Sequence, residues 1–140
     1  LLHTVNDLER IGDHAVNIVE ITQRKMDRKL VFSEEALEEG RQLKEQVQQM
    51  FEYIVAALDK NDNEAAQAAL EIEKKLNQMQ SDFRKNHVKR MGENLCSAES
   101  GLIFIDVVDN VEKIGDHLTN IAQSVIGGLQ WEQFEEKTLA

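Results

Sequence analysis

A chain of 140 residues with 41% hydrophobic content can bury a modest core and is sized for a single domain, taken as residues 1–140. The lack of proline, with only seven glycines and abundant Ala, Leu, Glu, Gln and Lys, excludes a turn-rich strand fold and predicts an all-α chain. A formal charge of −10 repels a phosphate backbone and argues against nucleic acid, one cysteine excludes an internal disulfide, and the longest apolar run, residues 102–105, is far short of a membrane span.

The first predicted helix, 1–26, sets Leu8, Ile11, Ala15, Ile18 and Val19 in one apolar stripe, with His3, Asn6, Glu9, Asp13, Asn17 and Glu20 opposite. Ser33 suits the N-cap of a second helix, 34–59, with Glu34 and Glu35 in its first turn and Phe32 placed to staple onto Leu37. Leu43, Val47, Met50, Phe51, Ile54 and Leu58 carry its core face. Asn61 and Glu64 resemble a capping box opening a third helix, 62–95, whose core face runs through Ala69, Ile72, Leu76, Met79 and Phe83 towards Met91 and Leu95. Ser97 caps a fourth helix, 98–126, which stops at Gly127 and Gly128, and Trp131 and Phe134 follow in a tail that docks or marks a cut interface. Short connections make successive helices antiparallel neighbours, giving an antiparallel up-and-down four-helix bundle with the first and fourth helices side by side. The chain lacks an initiating Met and begins inside its first motif, so we expect a fragment of something larger.

Residues 5–18 recur at 108–121 with eight of fourteen positions identical, including Glu9/Glu112, Gly12/Gly115, Asp13/Asp116, His14/His117 and Asn17/Asn120. Glu9 and Asp13 stand one turn apart on one helix face, as do Glu112 and Asp116, and Asp106 and Asp109 extend the second set. Like charges at these spacings repel by a few tenths of a kcal/mol per pair, a cost that a cation would remove. Donors rich in oxygen and free of thiolate suit Mg²⁺, Ca²⁺, Mn²⁺ or carboxylate-bridged iron. With the two helices adjacent, the two acid pairs are placed to converge. The competing reading is a solvated polar face, with Arg10 pairing to Asp13 and Lys113 to Asp116. The repeat weighs against it, because a glycine recurs mid-helix at a cost of about 1 kcal/mol each time, and close approach of another helix is the natural reason. His14 and His117 lie about 100° around from the neighbouring Asp, which suits hydrogen-bonded surface residues better than ligands. Asn17 and Asn120 fit either amide ligands or plain polar surface.

The stretches Asp7-Leu8-Glu9-Arg10-Ile11-Gly12-Asp13-His14 and Val111-Glu112-Lys113-Ile114-Gly115-Asp116-His117 resemble the paired signatures of PhoU-family phosphate-regulatory proteins. The resemblance implies a six-helix fold of two three-helix repeats, each with the motif on its third helix. This chain would then be a partial domain holding the last four helices. It also implies multinuclear metal clusters, iron or zinc first, with manganese, magnesium or calcium as alternatives. Glu9 and Asp13 would ligate one cluster and Glu112 and Asp116 the other, with Asp109 added, although its counterpart is Asn6. Leu1 to Ile18 is closest in wording to the cytoplasmic C-terminal domains of bacterial Na⁺/phosphate cotransporters. The partners implied are a phosphate transporter membrane domain or a sensor kinase, at a cytoplasmic location that extends to the soluble part of an inner-membrane protein. Incomplete cover of the first helix further implies a homo-oligomer.

Three function classes follow. The first is a metal-binding regulatory domain controlling phosphate uptake, with no catalysis. The second is a metal-free helical interaction module whose acidic faces dock a basic partner. The third, a ferritin-like di-iron enzyme, needs Glu-x-x-His pairs, whereas Ile11, Arg84 and Ile114 stand three residues before His14, His87 and His117.

Overall fold

The computed structural model describes residues 2–128, and these form four helices and no strand: α1 Leu2–Asp27, α2 Glu34–Lys60, α3 Asn63–Gly92 and α4 Ala98–Ile126. The starts of α2, α3 and α4 are each secured by a side-chain oxygen that takes up amides the helix leaves unpaired. Ser33 Oγ accepts from the Ala36 amide, and Ser97 Oγ accepts from the Ser100 amide, both at 3.1 Å. At α3 the cap is Asp62, which accepts from Glu64 and Ala65. The expected box on Asn61 is therefore corrected: Asn61 closes α2 in the left-handed region, φ 49°, and its amide bonds the Ala57 carbonyl. Asn tolerates that conformation, and Asp one residue on is the stronger cap. α3 ends at Gly92, three residues before the expected Leu95, because Asn94 turns left-handed at φ 58° and the Leu95 amide returns to the Arg90 carbonyl at 2.9 Å. The staple between Phe32 and Leu37 is also corrected. Leu37 is exposed, and Phe32 instead meets the edge of Phe104 at 5.7 Å between ring centroids. Trp131 and Phe134 lie outside the described residues.

The helices pack as a bundle around α4, which contacts α1, α2 and α3, while α2 and α3 also contact each other. Packed pairs run antiparallel: Glu39 of α2 meets Arg90 of α3, Leu76 of α3 meets Gly115 of α4, and on α1 and α4 Asp7 meets His117 while His14 meets Asn110. The core joins Leu43, Met50 and Ile54 of α2, Ile72, Leu76 and Phe83 of α3, and Phe104, Val108, Leu118 and Ile121 of α4. Near its far end, Glu39 and Arg90 form an ion pair whose side chains are only 9% and 11% exposed, and Asn86 Nδ2 donates to the same carboxylate at 3.2 Å. Beside it the buried His87 ring stacks on Phe104 at 4.5 Å, with Cys96 Sγ 3.9 Å from its Nε2.

The apolar stripe expected of α1 is split. Ile11 and Ile18 pack on the core, whereas Leu8, Ala15 and Val19 face outward together with Val5 and Val16. The repeat explains the split. The α4 counterparts of Val5, Leu8, Val16 and Val19 are Val108, Val111, Thr119 and Ala122, all buried in α4, whereas the α1 residues are 53%, 42%, 56% and 68% exposed. Among the described residues, the face of α1 that answers to the covered face of α4 is thus exposed. An apolar groove of about 470 Å³, lined by Ile11, Ile18, Leu43, Val47, Phe51 and Val111, opens between α1, α2 and α4.

Candidate carboxylate site

The repeated segments pair with each other through a reciprocal hydrogen-bond pattern. His117 Nδ1 and Asn120 Nδ2 of α4 donate to Asp7 Oδ1 of α1, at 2.8 and 3.3 Å. At the equivalent place in the other direction, His14 Nδ1 and Asn17 Nδ2 of α1 donate to Asn110 Oδ1 of α4, at 3.1 and 3.2 Å. Asp7 and Asn110 occupy the same position of the repeat, and the two histidine rings stack at 5.8 Å with 22° between planes. The repeated His and Asn therefore join the two motifs. The reading of the histidines as hydrogen-bonded residues fits this arrangement, and both asparagines are engaged across the α1–α4 seam. Asp7 was missed in the sequence. Its signal was the Asp/Asn exchange with Asn110 inside an otherwise matching repeat, which points to a shared acceptor oxygen.

The glycines of the motif differ. A Cβ on Gly115 would meet Leu76 Cδ2 of α3 at 3.0 Å, so a helix does approach closely there. Around Gly12 nothing lies within 4 Å, in keeping with the uncovered face of α1.

The acids follow the same asymmetry. On α4, Asp109 and Glu112 both accept from Nη2 of Arg84, one turn beyond the buried Gln80 on α3. This ion pairing holds the Arg84 guanidinium above its ordinary value, chiefly through Glu112, against a smaller opposing effect of burial. Asp116 has no such partner among the described residues. Desolvation, then the carboxylates of Glu112 and of Glu73 on α3, push its carboxyl above the usual carboxylate range, while His117 pulls it down. Glu73 of α3, absent from the sequence reading, is near enough for its charge to act on Asp116. On α1, Glu9 and Asp13 are exposed. The expected ion pairs of Arg10 with Asp13 and Lys113 with Asp116 do not form.

The expected convergence is corrected as well. Among the described residues no three His, Cys, Asp or Glu side chains are gathered as ligands of one ion. The α1–α4 seam is instead taken by Asp7, His14, Asn110 and His117. In kind, the α4 donors still suit a hard cation: Asp109, Glu112 and Asp116 offer oxygen alone, and a guanidinium already serves two of them as a cation.

The family model described as the PhoU domain matches residues 1–22 and 41–125 of the chain. Among curated proteins, the chain is 29% identical over 126 residues to the phosphate-specific transport system accessory protein PhoU homolog 1 of Thermotoga maritima, covering 90% of this chain and 53% of that protein. The chain therefore spans about half the length of the curated relative it matches. No solved structure matches it.

Proposed function

We propose, because the chain belongs to the PhoU domain family, that it is a metal-binding regulatory domain acting on phosphate uptake through contact with a phosphate transporter or its sensor kinase. The observation that carries the metal reading is the α4 carboxylate row, where Asp109 and Glu112 share one cation and Asp116, one helical turn beyond Glu112, has no ion pair among the described residues. Asp109, Glu112 and Asp116 would hold the metal on this helix. Glu9 and Asp13 are the matching acids on α1 and would hold a second ion once the open face beside them is covered. The metal, iron or zinc first, would supply charge that compensates these acids, and no catalytic residue is assigned. The relative's name places it with a phosphate-specific transport system, which supports a transporter as the partner. We place the domain in the cytoplasm, and its attachment to a Na⁺/phosphate cotransporter remains part of this proposal. No described helix is long and apolar enough to cross a membrane.

One observation favours a second reading, a metal-free interaction module: Arg84 already neutralises two of the α4 acids, and α1 presents an uncovered apolar face. Elemental analysis after purification without chelator separates the two. The metal reading expects stoichiometric metal in the wild type and its loss in Glu112→Gln with Asp116→Asn. Metal-free wild type that also fails to load zinc, iron or manganese would favour the module.

A further inference from the structure

The exposed apolar residues of α1 are symmetric about its glycine. Val5, Leu8, Gly12, Val16 and Val19 follow one another at steps of three, four, four and three residues, so they share one helix face. Val5 and Val19 stand seven residues either side of Gly12, and Leu8 and Val16 stand four either side. All four side chains are exposed. We propose that this face receives α1 of a second copy of the chain, running antiparallel about a twofold axis at Gly12. The contact needs no metal.

A twofold contact requires a surface that complements itself, so that if one residue meets a second, the second meets the first. Antiparallel about Gly12, Val5 meets Val19 of the second copy, Leu8 meets Val16, and glycine lies over glycine. Nothing lies within 4 Å of a Cβ built on Gly12, so the two backbones can close at the axis with no side chain between them. The internal repeat gives independent support, because it shows that this position suits a close neighbour: at Gly115, the equivalent on α4, Leu76 of α3 comes within 3.0 Å of the Cβ position. Charge favours a copy over a basic partner. The five residues of the face are uncharged, and the acids Glu9, Asp13 and Glu20 fall on the flank of the helix beside it. Each chain carries −10, so the dimer forms against repulsion and should tighten as salt screens it, whereas a basic partner held by the acids would be released. One helix from each copy makes a small interface of the reversible class.

Sedimentation of the chain at rising concentration should show a monomer–dimer equilibrium that tightens at high salt. Leu8→Gln with Val16→Gln removes four apolar side chains from each dimer and should weaken it at least about tenfold. Both residues reach solvent in the monomer, so circular dichroism of the dilute variant should match wild type. Cross-linking reads the register whatever that variant does. In a Cys96→Ser background, a short bismaleimide should join Gly12→Cys to itself, and should join Val5→Cys to Val19→Cys when the two are mixed but neither to itself. Val5→Cys linking to itself as readily would overturn the antiparallel arrangement, and a dimer that survives Leu8→Gln with Val16→Gln would overturn the face. A monomer at every concentration would overturn the proposal outright, and a dimer appearing only after removal of residues 129–140 would give the face to that segment instead.

Discussion

His87 is the residue at which burial has the clearest consequence for pH. It is 1% exposed, and burial first, then the Arg90 charge, push its imidazole below the usual histidine range against the pull of Glu39. The unfolded chain therefore takes up a proton more readily than the folded one, and stability must fall as pH drops through about 6.5 towards the folded value. Arg90 Nη2 lies 3.0 Å from Nδ1 of the ring, an acceptor that protonation abolishes. Urea unfolding between pH 7.5 and 5 should show a wild-type loss of stability that His87→Gln lacks. Equal slopes for the two proteins would refute this. Asp116 has the opposite sign. Its raised carboxyl favours the protonated folded state, so its ionisation costs stability as pH rises through its folded value, and Asp116→Asn should leave the metal-free fold as stable at neutral pH or slightly more so.

At the scale of helices, the repeat supplies an internal control. Gly12 and Gly115 occupy the same motif position, but only Gly115 is approached by a neighbour, Leu76. Replacing a mid-helix glycine with alanine gains about 1 kcal/mol from propensity where space allows. Gly12→Ala should thus raise the melting temperature by a few degrees, whereas Gly115→Ala must push Leu76 aside and should gain less or lose. Thermal melts of the two variants check this, and a larger gain for Gly115→Ala would contradict it. The helices were legible because Ser33 and Ser97 are strong caps and the core faces of α2 and α3 keep a regular period. The α3 start was misread because Asn61 and Asp62 are both plausible caps, and local chemistry alone does not say which one turns left-handed. The α1 stripe was legible, with its incomplete cover expected, but periodicity does not say which of its residues are the covered ones, Ile11 and Ile18.

For the molecule as a whole, the uncovered face of α1 matters most. Val5, Leu8, Val16 and Val19 stand open where their α4 counterparts are buried, and exposed apolar patches of a few hundred Å² or more find partners. The chain should self-associate, and sedimentation at rising concentration should show a growing oligomer fraction. A monomer throughout would count against this. The candidate site was only partly legible. Spacing marks Glu9, Asp13, Glu112 and Asp116 as candidates, and Asp109 extends the α4 row. Arg84 enters through the α3–α4 register, and no motif in the sequence signals that register.

The metal is the central claim, and the melting temperature measures it most directly. Wild type and the Asp13→Asn, Asp116→Asn double variant are each melted with chelator and with iron, zinc or manganese. Saturating metal should raise the wild-type midpoint by roughly 5 °C or more, as expected for a ligand well above its Kd in a domain of this size. The double variant should respond far less, with its chelated midpoint at or slightly above that of wild type. Of the single variants, Asp116→Asn should lose more of the response than Asp13→Asn, because α4 carries the richer acid set. A wild-type midpoint that no metal moves would contradict the account.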